Sequence, residues 1–170
     1  MPVLMNRREA QNGVISYFHL QWSRNIDIFT GPKIVVPYRT QINAFAYNDV
    51  EWFCRSDVYV ITQKNKMFSL KYILSLLNSS LYFIWLYNRG KRKGEILELF
   101  QIPLSEIPIP DSTAEQQKVF VDLADKITDI KKSNPSADTS SLELQIDNMV
   151  YKLHGLSEAE IKIIENGDKV

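Results

Sequence analysis

The sequence predicts an α+β fold, in which a curved and mostly antiparallel sheet with packed helices precedes a small C-terminal helical subdomain. The first half contains short aromatic and β-branched runs separated by turn residues, which is typical of strands. The last third instead repeats apolar residues at helical spacing. With 170 residues, 45% hydrophobic and 24% charged, the chain suits one domain, or one domain with a short appendage, and its composition argues against disorder.

Four runs predict the strands of the sheet. Residues 33–38 are rich in β-branched side chains and follow the turn pair Gly31-Pro32. The other runs are short and aromatic, and turn residues separate them: 44–47, 50–54 and 57–62. Spacing this close predicts short connections between antiparallel neighbours.

A helical segment follows these strands. The pattern predicts a helix over 69–87 that is broken or bent near Asn78-Ser79-Ser80. Lys71 and this polar triplet leave the segment short of the roughly 20 apolar residues that a membrane span requires, so we expect a buried helical region and no membrane anchor. A basic loop, 89–94, and a further strand, 95–100, complete the first part of the chain.

Two prolines mark the change to the helical part. Ile107-Pro108-Ile109-Pro110 suits neither a helix interior nor a central strand, and therefore predicts an extended connector. Three helices are then predicted from capping signatures, and Gly155 suits the left-handed end of the second: Ser112-x-x-Glu115, Ser140-x-x-Glu143 and Ser157-x-x-Glu160. We divide the chain into a sheet-containing region, 14–110, and a helical appendage, 111–165, with 1–13 unassigned as an alternative start or an artificial boundary.

Charge is divided along the chain although the formal net charge is zero. Residues 1–100 contain 13 Lys and Arg against 7 Asp and Glu, and residues 101–170 contain 7 against 13, so the parts carry +6 and −6. This segregation indicates two surfaces with different partners, and chance clustering of solvated charges is the alternative. The single cysteine, Cys54, excludes an intramolecular disulfide and favours a reducing cytoplasm, as does the absence of a secretory signal pattern.

Catalytic patterns are missing from the sequence. His19 and His154 lie far apart without neighbours that suggest a metal site, and no glycine-rich phosphate loop is present. A nuclease motif can be forced onto Asp111 and Asp129, but Asp129 falls on a predicted helix, several turns beyond Asp111. We therefore expect no catalytic residue, metal ion or cofactor in this segment, and keep a nuclease as an alternative.

The positive signals are basic and polar, and they predict contacts with nucleic acid. We expect phosphate contacts from a glycine-flanked cluster, for which a solvated turn is the alternative, and from one further arginine: Arg89, Lys91, Arg92, Lys93 and Arg24. We expect base-edge contacts from a polar stretch that we predict as a loop directly after the first strand: Arg39, Thr40, Gln41 and Asn43. Trp22 and Tyr47 are candidate base-stacking rings, with a place in the core as the alternative.

The order of these segments resembles a known family. The segments are LQWSR (20–24), GPKIVVP (31–37), FAY (45–47), DVYVI (57–61), LKYILSLLNS (70–79), IPIP (107–110), IDNMVYKL (146–153) and GLS (155–157). Together they resemble the TaqI-like C-terminal specificity domain of adenine-N6 DNA methyltransferases, found in type IIG restriction-modification enzymes. The resemblance covers roughly residues 17–165.

This resemblance implies a division of labour. In the family, a catalytic N-terminal region binds S-adenosylmethionine and methylates adenine, and the C-terminal domain recognises the DNA sequence. The cofactor motif is missing here, and Asn134-Pro135-Ser136 lacks the second proline and the aromatic ring of the Asn-Pro-Pro-Tyr motif. We therefore expect a sequence-specific double-stranded DNA recognition domain, in a chain that is a fragment without its catalytic domain, where S-adenosylmethionine would bind.

The resemblance also implies partners and a location. The parent protein would be a site-specific adenine-N6 methyltransferase of a bacterial or archaeal cytoplasm, with or without endonuclease activity. The helical appendage would pack on the methyltransferase domain of the same polypeptide or on a partner subunit, or it would hold the geometry of the recognition half. A protein-interaction or assembly module of a multi-subunit DNA-modification system is the alternative, and the acidic helices favour it.

Overall fold

A computed structural model describes residues 2–19, 24–55 and 57–166 and shows an α+β fold. The strands are β1 (Lys33–Pro37), β2 (Arg39–Thr40), β3 (Ala46–Asn48), β4 (Val58–Thr62), β5 (Lys91–Lys93) and β6 (Ile96–Glu98). The helices are α1 (Pro2–Met5), α2 (Arg8–Gln11), α3 (Asp27–Thr30), α4 (Leu70–Leu77), α5 (Ser80–Arg89), α6 (Gln101–Ser105), α7 (Ala114–Ser133), α8 (Ser140–Leu153) and α9 (Glu158–Glu165). The predicted fold class is confirmed.

The strands form two three-stranded sheets, and every pairing within them is antiparallel. The first sheet has the order β3-β1-β4, and the second has the order β2-β6-β5. Ile34 and Val36 on the central strand β1 are fully buried, which fixes the face of the first sheet that packs on the helices. The strand predicted at 50–54 does not form, and this segment runs as a loop between β3 and β4.

Tyr38 connects the two sheets. Its backbone N–H donates a hydrogen bond to the carbonyl of Asp57 at 3.2 Å, beside the first sheet. Its carbonyl accepts from the N–H of Leu99 at 2.9 Å, beside the second sheet. The extended chain from β1 to β2 therefore contributes to both sheets, and the polar stretch predicted as a loop after residue 38 begins as a strand.

The predicted break in the 69–87 helix is confirmed. The Ser69 side chain caps α4 by accepting from Lys71 N–H, and six of the eight α4 residues are buried. At the junction with α5, the Asn78 side chain accepts from Phe45 N–H at 3.0 Å and donates to Phe45 O at 2.9 Å, so the break also holds the chain before β3. Within the described residues, no helix combines the length and apolar character needed to cross a membrane.

The three C-terminal helices form near the predicted capping signatures, and two of the three caps are shifted by one residue. Helix α7 is capped by Thr113 and Gln116, one residue later than the predicted Ser112 signature. Helix α8 has Thr139 at its N-cap, one residue before the predicted Ser140, and makes no side-chain cap hydrogen bond. Helix α9 carries the predicted capping box of Ser157 with Glu160. Gly155 has the expected left-handed conformation, with φ +65°.

One apolar core joins the sheet-containing part to the helical part. It includes Ile34 from β1, Leu76 from α4, Phe120 from α7 and Val150 from α8. The extended connector is fixed against α4 and α5 through two buried tyrosines, since Tyr72 donates to Pro110 O at 3.1 Å and Tyr82 donates to Pro108 O at 2.5 Å. The helical residues thus hold the α4–α5 layer on which the sheets lie; the domain boundary at 110 stays a prediction.

Candidate nucleic-acid interface

The second sheet brings residues from both predicted DNA-contacting groups together. Arg39 on β2 lies opposite Glu98 on β6, which lies opposite Lys91 on β5. The next row contains Thr40, Leu97 and Arg92. Because neighbouring strands are about 4.8 Å apart, the two outer strands lie about 10 Å from each other. A predicted base-edge contact and predicted phosphate contacts therefore share one small sheet.

The predicted basic loop is in part a strand. Residues 91–98, which we call the basic hairpin, form β5 and β6 around a turn in which Gly94 has φ +62°. Gly90 seats the hairpin on α5, since a Cβ atom built there would lie 2.6 Å from both the Leu86 carbonyl oxygen and Leu97 Cδ1. The cations of this segment are consequently held at strand positions and are not carried on a flexible loop.

Aromatic rings support the exposed cations of this region. Three charged groups lie over rings: Arg89 over Trp85 at 6.0 Å, Lys91 over Phe100 at 5.5 Å and Arg92 over Tyr87 at 4.4 Å from the ring centroids. Each of these cations, and Lys93 as well, is exposed to solvent. A cation that rests on a ring keeps N–H groups available for other acceptors, such as phosphate oxygens.

Glu98 is a buried carboxylate that lies between Arg39 and Lys91. Arg39 Nε donates to Glu98 Oε1 at 2.8 Å, Arg39 Nη2 forms an ion pair with the same oxygen at 2.6 Å, and Lys91 Nζ lies 3.8 Å from Glu98 Oε2. The Glu98 side chain is 5% exposed, against 51% for Arg39 and 71% for Lys91. The hydrogen bond to Glu98 raises the pKa of Arg39 above its ordinary value. Glu98 is not among the site residues predicted from the sequence, although an acid between Leu97 and Leu99 shortly after a basic run is a signal that could have indicated it.

Arg24 lies outside this sheet and binds the protein itself. Its guanidinium donates to Val58 O at 3.0 Å, to Arg55 O at 2.9 Å and to Cys54 O. It also lies 4.8 Å from the centroid of the Phe29 ring. These contacts fix the loop before β4, and the phosphate contact of Arg24 stays a prediction.

Asn43 and Tyr47 line a different feature, a cleft of about 630 Å³ between residues 42–47, the α4–α5 junction and helices α7 and α8. The Asn43 amide donates to Leu77 O at 2.6 Å and Ser79 O at 3.2 Å, and its Oδ1 atom is buried without a partner. The ammonium of Lys71 lies 5.0 Å from the Tyr47 ring centroid. In this arrangement the amide of Asn43 joins the helices and has its donor group occupied.

The remaining candidates have simpler settings. The Thr40 hydroxyl accepts from Ile42 N–H at 3.2 Å and bonds Ile42 O, which tightens the turn after β2. Gln41 is exposed in that turn, next to the second sheet. Trp22, a candidate base-stacking ring, lies outside the described residues. The stacking and base-contact roles stay predictions.

The carboxylates of the nuclease alternative are not brought together. Asp111 is exposed in the connector, and Asp129 is exposed on α7, about 22 Å along that helix from Ala114 at 1.5 Å per residue. No group of three or more His, Cys, Asp or Glu side chains in the described part of the chain is arranged to hold a metal ion. His154 Nε2 lies 3.3 Å from the Tyr82 hydroxyl, and burial lowers the pKa of His154.

Comparisons with known proteins identify a family and two relatives of this chain. A family model described as the TaqI-like C-terminal specificity domain matches residues 8–109. The type II methyltransferase M.HincII of Haemophilus influenzae is 25% identical over 158 residues, which cover 86% of this chain and 32% of the relative. The type II methyltransferase M.HindII of Haemophilus influenzae strain Rd is also 25% identical over 158 residues, covering 86% of this chain and 30% of the relative. The chain thus spans about a third of the length of these curated relatives.

Proposed function

The chain belongs to the TaqI-like C-terminal specificity domain family, which makes it a DNA recognition domain of the restriction-modification methyltransferase type, and we propose that its second sheet carries the recognition. In this proposal the exposed cations on and beside the basic hairpin contact phosphates: Arg89, Lys91, Arg92 and Lys93. Arg39 and Gln41, at the other side of the same sheet, contact base edges. One observation carries the proposal, namely the pairing of β2 and β5 with the shared strand β6.

The dimensions of the sheet support this assignment. The major groove of B-DNA is about 12 Å wide and admits a two-stranded ribbon. With outer strands about 10 Å apart, one edge of the sheet can follow a phosphate strand while the other edge enters the groove. Phosphate contacts then set the register, and the arginine edge supplies the discrimination between bases.

A recognition role for this chain requires a catalytic part elsewhere in the longer polypeptide. We propose that the longer polypeptide is a site-specific adenine-N6 DNA methyltransferase of a bacterial or archaeal cytoplasm, and that its catalytic part binds S-adenosylmethionine. Both relatives carry type II methyltransferase names and are about three times as long as the matched region, which supports a separate catalytic part. In this proposal, helices α7 to α9 pack on that part.

Charge removal tests the phosphate contacts. The variant carrying Lys91→Gln, Arg92→Gln and Lys93→Gln should bind a random-sequence duplex more weakly, and the slope of log affinity against log salt should fall by about one unit per lost contact. A matched variant carrying Lys126→Gln, Lys152→Gln and Lys162→Gln removes the same charge from exposed positions on α7, α8 and α9. Equal slopes for the two variants would contradict the proposal.

A second candidate function, assembly with a partner protein, is favoured by the surface of the helical part. Each of its three helices exposes a large apolar side chain: Val119 at 49%, Leu144 at 53% and Ile163 at 45%. Replacing all three with Ser should leave DNA binding by the isolated chain unchanged and weaken its association with the catalytic part. If these replacements instead changed the DNA preference, the helical part would belong to the recognition surface.

A further inference from the structure

We propose that Glu98 is a positioning residue that orients Arg39 toward a guanine in the DNA target. This inference rests on the proposed function and deepens it, because it assigns a base to the second sheet and a role to a residue that makes no DNA contact itself. It starts from the Arg39–Glu98–Lys91 row across three paired strands.

Glu98 contacts the side edge of the Arg39 guanidinium. Nε donates a hydrogen bond to Glu98 Oε1 at 2.8 Å, and Nη2 is ion-paired with the same oxygen at 2.6 Å. The Tyr38 ring lies 5.1 Å from the Arg39 Cζ atom and supports the plane of the group. Tyr38 also raises the pKa of Arg39 through a side-chain hydrogen bond, and the end edge of the guanidinium, Nη1 and the second Nη2 hydrogen, belongs to a side chain that is half exposed. Two parallel N–H donors match the O6 and N7 acceptors of guanine in the major groove.

The burial of Glu98 is difficult to explain by stability alone. Its chain neighbours Leu97 and Leu99 are 1% and 0% exposed and lie on the opposite face of the strand, so Glu98 shares its face with its cross-strand partners Arg39 and Lys91. Replacing a buried ion pair by packed apolar residues is often neutral or stabilising. A carboxylate also lowers the attraction of the surface for phosphates. The advantage of Glu98 is that it orders the Arg39 side chain, since an arginine that is already held in place loses less side-chain entropy when it binds a base.

This role predicts opposite effects on affinity and on specificity. For Glu98→Gln in the 170-residue chain, the preference for guanine at one position, measured by selection from a duplex pool with a randomised centre, should fall by about 5- to 100-fold. Affinity for a random-sequence duplex should stay equal or increase, and its salt slope should steepen by up to about one unit, because a negative charge is lost beside Lys91. A variant that is only less stable would bind every duplex more weakly.

Four further variants separate positioning from other effects. Arg39→Gln should lose the same guanine preference, and adding Glu98→Gln to it should cause no further loss, because the two residues act as one unit. Glu98→Asp keeps the charge but shortens the arm, so it should weaken the preference without changing the salt slope. Glu95→Gln removes an exposed carboxylate from the same hairpin and should leave the guanine preference intact.

The outcomes distinguish this inference from the proposed function. If the unaltered chain selects a sequence and Glu98→Gln selects it equally well, the inference is wrong and the proposed function stands. If the unaltered chain selects no sequence, both are wrong. If Glu98→Gln and Glu98→Asp both lose affinity for all duplexes together with their unfolding midpoint, Glu98 is structural and the inference is again wrong.

Discussion

Cations beside the first sheet and cations on the basic hairpin differ in what their N–H groups contact. Lys33 on β1 is fully buried, and its ammonium donates to Gly31 O at 2.8 Å and Val50 O at 2.6 Å. Arg24 likewise donates to three backbone carbonyls. On the hairpin, Lys91 and Arg92 are exposed and lie over aromatic rings. These groups carry the same charge, but their contacts differ.

The contrast explains why charge in the first 100 residues overstates the DNA-binding surface. A lysine whose N–H groups donate to buried carbonyls stabilises the fold and has few donors available for a phosphate. A cation over a ring is held by its stem and loses fewer hydrogen bonds when it meets a ligand. Removing one cation from each of the two regions therefore gives the clearest experiments.

The largest effect is expected for Lys33→Met. Methionine keeps the apolar stem but leaves the Gly31 and Val50 carbonyls without a donor, which should lower the free energy of unfolding by about 2–4 kcal/mol. DNA affinity of the folded fraction should not change. Lys93→Met on the hairpin is the matched control, with an expected stability change within about 0.5 kcal/mol and weaker DNA binding. Urea denaturation and duplex titration measure the two quantities, and a shared loss in both variants would break the distinction.

Local signals in the sequence were sufficient for most of the fold. Helix breaks and caps depend on a few neighbouring residues, so the α4–α5 break and the capping box at Ser157 were predictable. The strand predicted at 50–54 failed for a tertiary reason. Lys33 and Phe29 bond the backbone of this segment as a loop, through Val50 O and Trp52 N–H, and no local pattern reports such partners.

The candidate site was predictable in residue type but not in arrangement. The basic run and the polar stretch after β1 stand out in the sequence by composition. Their adjacency depends on Glu98, a residue 59 positions beyond Arg39 in the chain, and on the turn at Gly94 that makes β5 a strand. Asn43 has the right chemistry for a base contact, yet its amide bonds Leu77 O and Ser79 O, because the α4–α5 junction lies against it. Pairing across strands is non-local and leaves no short sequence signature.

Gly90→Ala is expected to lower stability less than Lys33→Met does, and to weaken DNA binding as well. The added Cβ would lie 2.6 Å from the Leu86 carbonyl oxygen and from Leu97 Cδ1, so the hairpin must shift from α5. Such overpacking costs about 1–3 kcal/mol. Because the shift also moves the exposed cations, DNA affinity should fall, unlike in Lys33→Met. Gly31→Ala is the matched control, since a Cβ there meets nothing within 4 Å. Unchanged DNA binding in a destabilised Gly90→Ala chain would show that seating on α5 does not position the cations.

The smallest effect concerns a cation that forms only on acidification, in the helical part. His154 ends α8, its Nε2 lies 3.3 Å from the Tyr82 hydroxyl, and that hydroxyl donates to Pro108 O in the connector. Burial lowers the pKa of His154 below its ordinary 6.5, so the fold favours the neutral ring. The stability that this ring contributes is therefore complete above the unfolded pKa and is lost as pH falls through the folded pKa. Unfolding midpoints measured from about pH 7 to about pH 5 should fall slightly more for the unaltered chain than for His154→Gln. The opposite trend would mean that the C-terminal dipole of α8 outweighs burial, and that this cation, like Lys33, is held by backbone carbonyls.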